Sequence, residues 1–248
     1  MKVIFHEDFY QVYTSDPAAA AGRLEAVVQV IAPEVEFVMA ESASVEDIAT
    51  VHTESLIERV SGQGLFPIAA LAAGGAIQAA TLGLTEPCFG LIRPPGHHAS
   101  SGSCWGFCYF NNMAIALTQL KRTGKIQRAY VLDIDLHFGD GTENTLGDKE
   151  WVTVHNVTTH TREVYMGEVA DEMERCQTDI IGISAGFDHH EEDWGGTLKT
   201  DDYQEIGRLV RTAAERCGGG CFGILEGGYN HQVLGHNVLA LIRGLSGQ

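Results

Sequence analysis

Asp133, Asp135 and His137 alternate along one stretch, VLDIDLHFGDGTE over residues 131–143. In an extended chain, period two puts all three side chains on one face. Asp135 and His137 can then reach a single ion, and Asp188, at the end of another apolar run, supplies a third donor. Two carboxylates and one imidazole leave a fourth position open, the pattern of a catalytic zinc rather than a structural one. An oxygen-rich set also suits Fe(II), Mn(II) or Co(II). One aspartate alone more often caps a turn. The alternating trio together with Asp188 favours a metal.

His97 and His98 follow Pro94, Pro95 and Gly96. The prolines stiffen the backbone and the glycine allows a sharp turn, so the pair is held in place. Adjacent imidazoles beside a metal suit general acid–base work, because their pKa lies near neutral pH. Each needs a carboxylate to fix its tautomer, and Asp133 and Asp140 are the candidates. Tyr229 follows Gly227-Gly228, where a phenol can donate to a developing oxyanion. His6, His52, His160, His231 and His236 read as structural or surface residues, and His189-His190 as loop architecture. Trp105 and Phe107 read as core, with one or two aromatics there free to line the site. Glu191-Glu192-Asp193 reads as a solvated turn able to attract a cation.

These residues need a scaffold, and the apolar pattern supplies one. Strands are expected over 2–5, 35–38, 88–92, 129–133, 151–155, 179–184 and 221–225. Helices are expected over 22–31, 45–60, 67–84, 112–123, 162–175, 202–216 and 232–245. Several strands are continuous apolar runs, as in a parallel sheet covered on both faces. The alternation predicts a three-layer α/β/α domain with a mainly parallel sheet, undivided over 1–248. Ligands in such sheets bind beyond the carboxyl ends of the strands. The segments there carry His97-His98, Asp133 to His137, His155, Asp188 and Glu226 to Tyr229.

The chain has 248 residues, 44% hydrophobic and 20% charged, an ordinary globular composition. Its formal net charge of −17 argues against a nucleic-acid or anionic-membrane partner and suits a cationic one. The most apolar segment, 66–84, is interrupted by Pro67, Gly74, Gly75, Gln78 and Gly83, and reads as a buried helix rather than a membrane span. The N-terminal stretch lacks the basic region and apolar run of a signal peptide. Six cysteines, two pairs of them spaced by three residues, read as free thiols in a reducing cytosol, so a cytoplasmic protein is expected.

Together these segments resemble the histone deacetylase superfamily, which includes acetylpolyamine amidohydrolases. The matching pieces are RPPGHHA (93–99), GFCYFNNMAIA (106–116), VLDIDLHFGDGTE (131–143), SAGFDHH (184–190) and LEGGYN (225–230). GRLEAV (22–27), VHTESLIERV (51–60) and AALAAGGAI (69–77) match more weakly. The resemblance implies an arginase/deacetylase-like fold and an amidohydrolase that removes an acetyl or other acyl group from an N-acylated amine through a metal-bound water. It implies zinc on Asp135, His137 and Asp188, with Fe2+ or Co2+ as alternatives. His98 becomes general base and then acid, supported by Asp140. His97 assists electrostatically, oriented by Asp133, and Tyr229 polarises the carbonyl. Gly106 and Phe107 line the substrate channel. A structural K+ is implied beside the zinc, held by Asp133, by backbone oxygens of Asp135 and His137, and by Thr153 and Val154. The implied partner is a small-molecule or peptide acylated amine, and a homo-oligomer is left open.

Several positions depart from that pattern. The stretch between His155 and Asp188 is short and has no clear counterpart to a second channel wall, Tyr165 being a remote candidate. Phe138 stands where many relatives have a second His. Trp194-Gly195 replaces a more usual Pro-Leu. An open, shallow site is therefore expected. His190 stands where a two-manganese ureohydrolase needs an aspartate, which disfavours that alternative. A metal-dependent sensor of acylated amines is the non-enzymatic alternative.

Overall fold

Seven short apolar runs pair as parallel strands in the structure, a computed structural model that describes all 248 residues. They are β1 (Lys2–Phe5), β2 (Glu36–Met39), β3 (Cys88–Gly90), β4 (Ala129–Asp133), β5 (Val152–Asn156), β6 (Ile180–Ala185) and β7 (Gly220–Leu225). The sheet order is β2-β1-β3-β7-β6-β4-β5. The strands β3, β4 and β6 are buried at every position, which explains their unbroken apolar sequences. The edge strand β2 is largely exposed.

Nine helices cover the sheet: α1 (Arg23–Ile31), α2 (Val45–Ile48), α3 (Glu54–Gly62), α4 (Phe66–Gly83), α5 (Asn112–Arg122), α6 (Asp140–Leu146), α7 (Arg162–Arg175), α8 (Thr200–Cys217) and α9 (His231–Ser246). Both α4 and α8 pack on β7 without packing on each other, so they lie on opposite faces. The partner of α4 is α5, while α8 packs with α7 and α9, and α9 with α1. The result is the three-layer α/β/α fold that the alternating pattern predicts. By length and mean hydropathy (1.4) α4 is apolar enough to cross a membrane, but 67% of it is buried inside the fold. Gly74 lets it approach the chain at Ala43, where a Cβ would lie 2.5 Å from the backbone nitrogen. All six cysteines are free.

Three expectations about elements need correction. The helix expected over 45–60 is two. Ser44 and Asp47 form a capping box for α2, and Thr53 Oγ1 accepts from Leu56 N to start α3 anew. The helix α6 was not expected, because its sequence, DGTENTL, has turn-like composition and no apolar stripe. The extended run through Asp133, Asp135 and His137 ends as a strand at Asp133. Beyond it, Asp133 Oδ1 accepts from Asp135 N (3.1 Å) and Asp135 Oδ1 from His137 N (2.9 Å). Two successive side-chain-to-backbone turns replace the pleat.

The neighbouring strands β3, β7, β6 and β4 form the middle of the sheet. Each motif loop follows one of their carboxyl ends. A strand order different from the chain order therefore brings four distant segments to one place.

Candidate active site

Asp135, His137 and Asp188 converge beyond β4 and β6, with one ligand atom from each lying within 4.8 Å of the others. His137 Nδ1 is 3.2 Å from Asp135 Oδ1 and 3.1 Å from Asp188 Oδ2. The carboxylates of Asp135 and then Asp188 raise His137 to about 10. Burial, then repulsion from Asp135, pushes Asp188 up to about 7. Burial would also raise Asp135, but His97 and His137 outweigh it and hold it below the usual carboxylate range. Asp188 Oδ2 is buried with no well-aligned donor, its close polar contact being His137 Nδ1 at 3.1 Å. Two buried carboxylates and an imidazole converging in this way fit a divalent cation.

The backbone is shaped around these oxygens. Gly227 N donates to Asp135 Oδ2 (2.8 Å). A Cβ on Gly227 would lie 2.6 Å from that oxygen and 2.7 Å from Asp188 Oδ2, so the glycine is required by close approach.

The loop after β3 brings His97 and His98 alongside. His97 Nδ1 pairs with Asp133 Oδ2 (3.1 Å) and His98 Nδ1 with Asp140 Oδ1 (2.7 Å). The unexpected α6 places Asp140 at its first position. Burial opposes charge on His97, but Asp135 and Asp133 outweigh it and raise its pKa well above the ordinary imidazole value. Burial, then the charge on His97, lowers His98 to about 4. The two neighbours are thus pushed in opposite directions.

Tyr229 follows β7. Burial, then Asp135 and Asp188, raises its phenol above the ordinary range, so the hydroxyl keeps its proton. Gly106 and Phe107 both face the pocket, a cavity of about 110 Å3 shared with His98, His137 and Tyr229. Gly106 (φ +58°) is forced, since a Cβ there would strike the His98 ring. Phe107 has φ +68°, a strained state for a side chain of its size.

The cation assignment to Thr153 and Val154 does not hold. In the β4–β5 register Thr153 is level with Tyr130 and Val154 with Val131, whereas Asn156 is level with Asp133. At about 3.3 Å per residue, Thr153 and Val154 lie about 10 and 7 Å back along the strand. Tyr165 is no channel wall either. It is fully buried, and its hydroxyl donates to Ile134 O (3.1 Å). No residue between His155 and Asp188 lines the pocket. His190 is held by Glu192 N at Nδ1 (3.1 Å) and lies 3.3 Å from Thr200 Oγ1 through Nε2, as loop architecture requires. His52 is buried and accepts from Asn111 N at Nε2 (2.8 Å).

Four residues support the site in ways the sequence does not assign: Asp193 reads there only as part of a solvated acidic turn, and Trp194 only as a departure from the family pattern. Arg23 is fully buried; its Nε donates to Gly228 O (2.8 Å) and its Nη2 to Glu226 O (2.7 Å), fixing the turn that carries Tyr229. Glu226 Oε2 accepts from Gly96 N (2.7 Å) and His97 N (3.2 Å), fixing the histidine turn. Asp193 Oδ2 accepts from Tyr229 N (2.8 Å) and Asn230 N (2.7 Å). Trp194 stacks on Tyr229, with ring centroids 4.0 Å apart at 24°. The signals in the sequence were the weak GRLEAV match, the position of Glu226 after a strand, and the unusual acidic and Trp-Gly positions at 193–195.

The chain is similar to known proteins in both sequence and fold. The family described as "Histone deacetylase domain" matches residues 18–172 and 158–245. A probable deacetylase of Methanothermobacter thermautotrophicus is 29% identical over 305 aligned positions, covering 99% of this chain and 91% of that protein. A probable deacetylase of Archaeoglobus fulgidus is 32% identical, covering 83% and 72%. A histone deacetylase-like amidohydrolase of Pseudomonas aeruginosa is 27% identical, covering 93% and 79%. In fold, the chain is similar to the crystal structure of the HDA15 HD domain, with a TM-score of 0.86 at 22% identity over 99% of this chain and 89% of that one.

Proposed function

This chain belongs to the histone deacetylase family, and from that premise we propose that it is a metal-dependent amidohydrolase that removes an acetyl or other acyl group from an N-acylated amine. The observation that carries the reading is the pair of adjacent imidazoles, each on its own carboxylate (His97 Nδ1–Asp133 Oδ2 3.1 Å, His98 Nδ1–Asp140 Oδ1 2.7 Å), beside an Asp–His–Asp trio and the Tyr229 phenol in one pocket. Two like groups with pKa values pushed apart divide acid from base work.

Asp135, His137 and Asp188 would hold the metal, with Zn2+ the assignment and Fe2+ or Co2+ compatible with the same donors. When bound, the metal supplies Lewis-acid polarisation of the amide carbonyl and a nucleophile at neutral pH. His98, neutral and aligned by Asp140, accepts the proton of the attacking water and returns it to the leaving amine. His97, charged and paired with Asp133, stabilises the negative charge that develops. The Tyr229 hydroxyl donates to the carbonyl oxygen as it becomes an oxyanion. A structural K+ belongs to the same proposal, held by Asp133 and backbone oxygens of Asp135 and His137. Ser184 Oγ, level with Asp133 on β6 and buried without a partner, supports a cation there.

The test is turnover by the chelated protein, before and after Zn2+ or Fe2+ is restored, on an acetyl-lysine peptide, a longer-acyl version and an acetylated polyamine. Metal-restored hydrolysis is expected, with kcat in Tyr229→Phe and His98→Ala falling about 100-fold or more. A folded, metal-loaded protein that binds but hydrolyses none of the three would favour the sensor. Unchanged kcat in both variants would overturn the mechanism.

A further inference from the structure

The pocket is bounded by a closed belt of rings. Trp105 packs tilted against His98 (centroids 3.9 Å, 32°), and His98 meets His137 edge-on (6.1 Å). His137 meets the edge of Trp194 (6.0 Å), and Trp194 stacks on Tyr229 (4.0 Å). Tyr229 meets Phe107 edge-on (6.0 Å), and Gly106 joins Phe107 back to Trp105. All six rings line the cavity. The two indoles fall three places apart around the belt, on opposite sides. Each packs against one of the two side chains assigned to proton transfer and to the oxyanion, Trp105 tilted on His98 and Trp194 stacked on Tyr229.

Both indoles are held at one side, Trp105 by its ring nitrogen and Trp194 through its backbone and its stack on Tyr229, and are open at the other. Trp105 Nε1 donates to Asp140 Oδ2 (2.9 Å), the carboxylate that aligns His98. The backbone of Trp194 is set by its own donation to Asp193 Oδ1 (2.8 Å) and by Gly195 N donating to Asp188 O (2.7 Å). Yet Trp105 is 55% exposed and Trp194 53%. Two large apolar rings kept in place while half exposed to water, on opposite sides of a narrow cavity, are unfavourable for the empty protein and favourable for contact with a ligand. A cavity of about 110 Å3 admits only a slender end group. The rest of the ligand, joined to that group, must leave the cavity between the indoles.

We propose that Trp105 and Trp194 form the two walls of the substrate slot, gripping the straight alkyl arm of an acylated amine, and that each also acts as a positioning residue, Trp105 for His98 and Trp194 for Tyr229. The alkyl arm rests on the amidohydrolase reading above; the walls rest on the belt.

The experiment uses full-length protein with Trp105 and Trp194 each changed to Phe and to Ala, and Trp194→Ala combined with Tyr229→Phe. An acetyl-lysine peptide is the probe. Steady-state kinetics are read with Zn2+ present, and tryptophan fluorescence is read as the same peptide is titrated into metal-free protein. Trp194→Ala is expected to raise KM about tenfold and lower kcat about tenfold, and Trp194→Phe to recover most of both. In the Tyr229→Phe background the KM rise persists while the further kcat loss disappears, because that loss acts through the phenol. Trp105→Phe keeps the ring packing but loses the hydrogen bond to Asp140, so KM holds and kcat falls about threefold; Trp105→Ala moves both. KM and kcat within about twofold of the parent in both alanine variants would overturn the proposal, as would a Trp194→Ala kcat loss that adds undiminished to Tyr229→Phe. If the parent hydrolyses nothing, fluorescence still decides. A peptide-induced change present in the parent and lost in either alanine variant keeps the walls while the amidohydrolase reading falls. No change, or the same change in all, removes the walls.

Discussion

His97 and His98 are the same residue type, one peptide bond apart, yet their pKa values are pushed in opposite directions by what each faces. His97 lies between Asp133 and Asp135, whereas His98 touches one partly exposed carboxylate and the indole of Trp105. Residue type and spacing made this pair, the Asp–His–Asp trio and Tyr229 readable in advance. Arg23, Glu226 and Asp193 were not, because their work is done through backbone atoms far away in the chain; Arg23 and Gly228 are 205 positions apart. The trio itself yields a prediction. Asp188, pushed up to about 7, binds a proton in the metal-free native state between pH 4 and 7 that the unfolded chain has released, so this group makes stability fall as pH rises through that window. Asp188→Asn removes the penalty. At pH 8 the metal-free variant is expected to be more stable than the parent by about 2 kcal/mol, while the rise in melting temperature that Zn2+ gives the parent disappears. Calorimetry with chelator and with excess Zn2+ reads both effects.

At the scale of elements, the strands were legible because burial on both faces leaves an unbroken apolar signature, and every expected strand appears within two residues of its bounds. What failed was local. Thr53 restarts a helix that periodicity alone runs together, and α6 folds without an apolar stripe because its place is set by contacts such as Thr142 N donating to His97 O (3.0 Å). Burial lowers His52 to about 4, and this side chain ties the entry of α3 to Asn111, the N-cap of α5. The sign is opposite to that of Asp188. The unfolded histidine takes up a proton below about pH 6.5 that the native one refuses, so stability is lost as pH falls from there toward 4. His52→Gln is expected to flatten this loss by about 2 kcal/mol at pH 5, measured by urea unfolding at pH 7 and pH 5. Gly106→Ala tests the turn beside His98. Positive φ and the clash with the imidazole together should cost about 2 kcal/mol and lower kcat more than tenfold, read by urea unfolding and initial rates.

For the whole molecule, the alternation of apolar runs with helical patterns was enough to predict a layered sheet architecture, and the motif loops predicted where along the sheet the chemistry sits. The pocket walls were less accessible. The short stretch before Asp188 suggested an open, shallow site; that stretch gives the cavity no wall, and the lining includes the half-exposed Trp105 and Trp194, which come from two loops that meet only in space. The charge total of −17 also has a consequence at this scale. Long-range attraction of a cationic amine is screened by salt. Raising ionic strength from about 10 to about 150 mM should therefore raise KM severalfold for a lysine-rich acetylated peptide and leave that of a neutral acetamide substrate within about twofold; initial-rate kinetics at the two salt concentrations make the comparison.

The sheet order carries one more consequence, for the time during which the protein is made. The strand β7 is the last to be synthesised, yet it sits between β3 and β6, and without it the sheet is two separate ribbons, β2-β1-β3 and β6-β4-β5. The Asp–His–Asp trio belongs to one ribbon and the histidine pair to the other. A nascent chain still attached to the ribosome before Leu225 has emerged therefore holds the donors of both but cannot bring them together. Long-range parallel pairing of this kind closes slowly. The interval between synthesis and closure is when the two apolar ribbon edges are open to wrong partners, and when a chaperone would have most to do.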